Sequence, residues 1–97
     1  MIINSTDPEQ IKQELKPHVH LMAIEYYNIR RAWRGPAADH WYRFESMYEL
    51  EKIIQETVNI CLEDETCHYA ETTGIHVKFT RELNHVEVSI TFDIIPS

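Results

Sequence analysis

The chain reads as an α+β domain in which two helices pack on one face of a four-stranded antiparallel sheet built from two hairpins, in the order αββαββ. Three observations predict it. Behind a capping signal at Ser46, apolar residues recur at helical spacing as far as Glu63. From Gly74 onward the apolar period falls to two, the mark of a sheet covered on one side. Between His18 and Glu45 the chain is dense in Val, Ile, Tyr and Trp, residues that suit a pleated surface. All 97 residues are assigned to one domain, because a chain of that length buries roughly 60% or more of its unfolded surface in a single core.

The first helix is expected to start at Asp7, where Asp can cap, Pro8 is preorganised at the first helical position and Gln10 completes a capping box. It is expected to end by Lys16, because Pro17 disfavours helical geometry in the residue before it, which leaves Ile11 and Leu15 as the buried side. Two patterns compete in the next segment. Val19, Met22, Ala23, Tyr26, Ile29 and Trp33 recur at helical spacing, and Arg30, Arg31 and Arg34 before Gly35-Pro36 resemble a helix C-terminus; a helix here would reduce the sheet to three strands. The start just after a proline without a good cap, and the aromatic run His40-Trp41-Tyr42-Arg43-Phe44, favour a hairpin. Its strands are expected near 18–33 and 40–45, joined through residues 35–39.

Ser46 with Glu49 three residues later forms a capping box, so the second helix begins there. Met47, Leu50, Ile54, Val58 and Cys61 make its apolar stripe, and Glu49, Lys52, Glu56, Asn59 and Glu63 line the other side. The second hairpin alternates Ile75, Val77 and Phe79 with polar residues, turns near Leu83-Asn84-His85, and resumes with Val86, Val88, Ile90, Phe92 and Ile94.

Composition narrows the class. With 43% hydrophobic and 26% charged residues the chain is globular rather than disordered. Its longest apolar clusters fall far short of the roughly 20 residues of a membrane helix, and its first residues lack the basic and apolar regions of a secretory signal, so a cytoplasmic location is expected. Cys61 and Cys67 are then read as free thiols.

Charge is the most informative feature. Residues 45–71 hold eight acids (Glu45, Glu49, Glu51, Glu56, Glu63, Asp64, Glu65 and Glu71) against Lys52, a net −7 that equals the charge of the whole chain. A concentrated field of this kind steers a cationic partner, whereas spread charge mainly confers solubility. The expected partner-binding face is Glu49, Glu56, Glu63, Asp64 and Glu65, with Tyr48 and Tyr69 supplying packed contacts beside it; an ordinary solvated face is the plainer reading. A secondary interface is expected at Arg30, Arg31, Trp33 and Arg34, whose plainer role is core packing and internal ion pairs; an acidic chain disfavours direct nucleic-acid binding there.

Metal and catalytic chemistry are not expected. His18 and His20 would share one strand face, and Cys61, Cys67 and His68 would lie near one another, but neither group has the paired short spacing of a zinc site. Only Gly35 and Gly74 are present, so no phosphate-binding glycine loop exists, and no nucleophile with its base is recognisable. The expectation is a small non-enzymatic binding or inhibitor protein without cofactor, docking on a basic surface of a larger protein such as a nucleic-acid-handling complex. Phage-encoded antagonists of bacterial defence, including anti-CRISPR proteins, and toxin-immunity proteins are of this small acidic type, a likeness that no family motif carries. The alternatives are a homo-oligomeric accessory subunit, as a homodimer through the Trp33 and Trp41 region, and a zinc-binding module.

Overall fold

The computed structural model describes residues 1–32 and 46–93, with the side chains of residues 30–32 outside that description. Its elements are β1 (Ile2–Ile3), α1 (Pro8–Ala32), α2 (Met47–Glu63), β2 (Tyr69–Thr72), β3 (Ile75–Arg81) and β4 (Val86–Phe92). The protein is α+β; its described residues form two helices and one four-stranded antiparallel sheet of spatial order β1-β4-β3-β2. The chain order βααβββ replaces the expected αββαββ.

The difference lies in α1. Residues 18–32 are helical, not a strand, and the helix that was to stop at Lys16 runs through Pro17 without a break. Ile11, Leu15, Val19, Ala23 and Tyr26 are all buried, spaced four, four, four and three apart, so one stripe continues in phase across the proline. A strand would have kept Val19 and Ala23 on one face but turned Tyr26 to the other, splitting this stripe. Tyr26 stacks on the Phe92 ring at a centroid distance of 4.1 Å and 10° between planes, which ties α1 to β4. The expected strand at 40–45 lies outside the described residues.

The sheet still has four strands because two short edge strands take the place of the expected hairpin. Ile2 pairs with Glu87 and Ile3 with Val86 on one edge; Tyr69 to Thr72 pair with Lys78 to Ile75 on the other. Two residues and four residues are short for edges, which limits the template offered to another chain.

The hairpin expected from Gly74 onward is present, with Ile75 opposite Phe92 and Arg81 opposite Val86. Ile75, Val77, Phe79, Val86, Val88 and Ile90 point to one side and are buried under both helices, together with Leu50, Ile54, Val58 and Cys61 of α2. Thr57, the buried polar residue of α2, donates its hydroxyl to the Ile53 carbonyl at 2.8 Å and so leaves no unpaired group in the core. The opposite sheet face stays open, with Lys78, Thr80, Glu87, Ser89 and Thr91 exposed. Among the described residues no helix is long and apolar enough to cross a membrane.

Strands β2 and β3 are joined by Thr73 and Gly74, at φ 48° and 81°. Two successive positive φ values are those of a type I′ turn, whose twist matches the strands but which penalises a β-branched residue. Thr73→Asn is therefore expected to stabilise the fold by about 1 kcal/mol, read as a rise in the urea midpoint with an unchanged slope.

Half-buried His18 adds a pH dependence. Burial, and secondarily the charged N-terminus, lowers its pKa below the ordinary histidine value. The unfolded chain then binds the extra proton as pH falls through about 6.5, so this contribution to stability is intact above that value and lost below it. Comparing urea midpoints at neutral and mildly acidic pH, His18→Gln should reduce the acid-induced loss; an identical loss in both proteins would assign it elsewhere.

Candidate partner-binding surface

Ser46 caps α2 by accepting the Glu49 amide at 3.1 Å, which sets the rotation of the helix and turns Lys52, Glu56 and Glu63 outward. The helix is acidic at the wrong end: its last turn contains no base, and it runs into exposed Asp64 and Glu65 where the backbone already presents partial negative charge. The relief comes from across the fold. Arg81, at the end of β3, donates Nη2 to the Cys61 carbonyl and Nη1 to the Cys67 carbonyl, each at 2.5 Å, and Nη2 also reaches the Asp64 carbonyl at 3.5 Å. Its guanidinium lies 5.2 Å from the centre of the Phe79 ring. The charge of Arg81 is thus directed at backbone oxygens rather than at carboxylates.

Asp64 is held ionised by local bonds. Its Oδ1 accepts the Thr66 hydroxyl at 2.6 Å and the Thr66 amide at 2.9 Å, and these, with a smaller effect from Arg81, lower its pKa. The histidine–carboxylate contacts of His20 with Glu51 and of His76 with Asp93 lie elsewhere.

Of the residues expected to form the acidic face, Glu56, Glu63, Asp64 and Glu65 are exposed along the outer side and C-terminal end of α2. Glu49 belongs to the same stripe but is half-buried and already engaged. Tyr48 is 77% exposed and sits about 22 Å along the axis from Glu63, in a groove it shares with Lys16, Glu51, Lys52, Gln55 and Glu56. Lys16 and Lys52 stand in that groove with Glu51 and Glu56, and His20 Nδ1 lies 3.0 Å from Glu51 Oε2. Tyr69, 54% exposed, stands on the open sheet face. Tyr48 thus borders the acidic face at Glu56. Trp33 and Arg34 lie outside the described residues, as do the side chains of Arg30 and Arg31, which occupy the last turn of α1.

Two features escape a linear reading. The first is a cleft of about 310 Å³ beside the acidic end, with Ile11, Leu62 and Val86 as apolar lining and Glu65, Glu82, Arg81 and His85 as charged or polar members. Glu82 extends the anionic surface from the β3–β4 turn. The second is a relay on the open sheet face: the Tyr69 hydroxyl lies 2.5 Å from His76 Nδ1, and His76 Nε2 lies 2.7 Å from Asp93 Oδ1. Ligand atoms of Glu71, His76 and Asp93 come within 4.8 Å of one another, so three groups suited to a divalent cation converge there. Both imidazole nitrogens are already engaged within the cluster, and Glu71 Oε1 accepts the Gly74 amide at 2.9 Å. The arrangement serves to brace the hairpin. Cross-strand pairing of Glu71 with His76 produces it, which is why residue spacing alone gives no signal for it.

The expected histidine and cysteine groups divide. On a helix His18 and His20 point about 200° apart, so they do not share a face. Cys61 and Cys67 bring their sulfurs to 3.5 Å as free thiols, but with His68 they form no three-ligand group among the described residues. No family model matches the chain, and neither a curated protein nor a solved structure is similar to it.

Proposed function

We propose that this chain is a small non-enzymatic cytoplasmic binding protein whose acidic end docks on a basic surface of a larger, nucleic-acid-handling protein, in the manner of an anti-defence or immunity protein. One observation carries the reading: Glu63, Asp64 and Glu65 are exposed together at the negative end of α2, with Glu56 exposed on the same helix, while Arg81, whose guanidinium lies at that end, is bound to backbone carbonyls. Clustered carboxylates project a field that accelerates encounter with a complementary surface. The apolar lining of the adjacent cleft offers the desolvated contact that charge by itself does not.

The test is the triple variant Glu56→Lys, Glu63→Lys, Glu65→Lys, with a partner captured by the wild-type protein from its own host. The association rate at low salt should fall about tenfold or more and lose its dependence on ionic strength, with circular dichroism unchanged. An unchanged association rate at low salt would refute the reading. The alternative of a homo-oligomer through Trp33 and Trp41 concerns residues outside the described region, and light scattering at high concentration decides it.

A further inference from the structure

Cys61 ends the buried stripe of α2 and Cys67 precedes β2, so the chain must double back between them. Their sulfurs meet at 3.5 Å. A disulfide needs about 2 Å, a closure that rotation of the half-buried Cys67 side chain can supply if the backbones are already in place. Three bonds hold them there. Arg81 grips the carbonyls of Cys61 and Cys67 with the two arms of one guanidinium, and the Cys67 amide donates to the Asp64 carbonyl at 2.9 Å. Each sulfur is also oriented: the Cys67 thiol lies 3.2 Å from the Tyr69 carbonyl as donor, which leaves the Cys61 thiol to donate toward the Cys67 sulfur.

We propose that Cys61 and Cys67 form a reversible oxidation site that closes to an intramolecular disulfide by exchange with a low-molecular-weight disulfide such as oxidised glutathione. Cys67 is the entry point, because Cys61 is fully buried and an external reagent cannot reach it. The Cys67 thiolate attacks one sulfur of the reagent, forming a mixed disulfide and expelling one glutathione thiolate. Cys61 then loses its proton to solvent and attacks the Cys67 sulfur, breaking the mixed disulfide and expelling the second thiolate. The protein dithiol is oxidised by two electrons and one glutathione disulfide is reduced to two thiols.

The division of roles agrees with the electrostatics. Burial first, then the hydrogen bond and charge of Cys67, push Cys61 up to about 12, so it is a thiol at neutral pH and waits for Cys67 to react. Capping Cys67 removes two of those causes and favours the second step. The ring so closed contains Glu63, Asp64 and Glu65, so oxidation would link redox state to the conformation of the acidic end.

The experiment incubates the reduced full-length chain with oxidised glutathione, quenches with acid and reads intact mass and disulfide-linked peptides. Wild type should lose two hydrogens, form no crosslink between chains, give a Cys61–Cys67 crosslinked peptide and show neither thiol to an alkylating reagent until reduced. Cys61→Ser should stop at a stable adduct of one glutathione on Cys67. Cys67→Ser should take up no glutathione while folded. Wild type that stays reduced, that accumulates only the glutathione adduct, or that crosslinks only between chains overturns the proposal, and the wild-type result stands whether or not either serine variant folds.

Discussion

Arg81→Met is expected to cost about 3 kcal/mol of folding stability, the largest loss anticipated for any single change outside the hydrophobic core. Hydrogen bonds from a charged donor contribute about 1.5–3 kcal/mol each, and Arg81 makes two short ones to carbonyls at the end of α2 and in the loop beyond it. Partial exposure of the site discounts their sum. Methionine keeps the side-chain bulk over Phe79 but leaves the Cys61 and Cys67 carbonyls to solvent, at a helix end with no base in its last turn. Thermal unfolding should show a drop of about 15 °C, and Arg81→Lys should fall between the two because one ammonium cannot reproduce a forked pair of bonds. A loss below about 1 kcal/mol would mean that water replaces the guanidinium at little cost and that Arg81 is not what stabilises this end of the helix.

Pro17→Ala is expected to act in the other direction, stabilising the protein by about 2 kcal/mol. Pro17 is exposed in the interior of α1, where it donates no amide to the Gln13 carbonyl one turn earlier. Alanine restores that bond and gives up no buried contact. The rise in urea midpoint should come with no change in its slope, because the buried surface is the same in both proteins. Destabilisation would show that the packing of Val19, Ala23 and Tyr26 depends on a bend that the proline imposes.

The same residue explains where a linear reading of the fold departs from the structure. A mid-helix proline costs about 3 kcal/mol, enough to predict a break if only neighbours along the chain are weighed. Burial of Leu15, Val19 and Tyr26 stabilises by about 1.5–3 kcal/mol each, and these gains together exceed the penalty. The in-phase succession Ile11, Leu15, Val19, Ala23 was the available signal, and a stripe that keeps its phase across a proline outweighs the proline. The short strands β1 and β2 were not legible for a related reason. Two or four residues carry too little periodicity, and each is a strand only because an edge of the β3–β4 hairpin lies beside it.

Of the surface proposed for binding, the excess of acids was legible in the count of charges, and the face carrying Glu56 and Glu63 in the helical period of α2. What lies beside each acid was not. Lys16 and His20 come to the N-terminal half of α2 from another helix, and Arg81 comes to its C-terminal end from a strand, so the most clustered acids are Glu63, Asp64 and Glu65, with Glu82 across the adjacent cleft.

Local chemistry by itself determined the α+β class, the capped helix behind Ser46 and the hairpin from Ile75 to Phe92, because caps, stripes and period-two alternation act between residues a few positions apart. Only the folded chain decided that α1 continues through Pro17, that Ile2 and Ile3 join the sheet, and that Arg81 closes the end of α2. Each of these rests on contacts between residues far apart in sequence, whose energies exceed the local preferences they override and leave no trace in spacing along the chain.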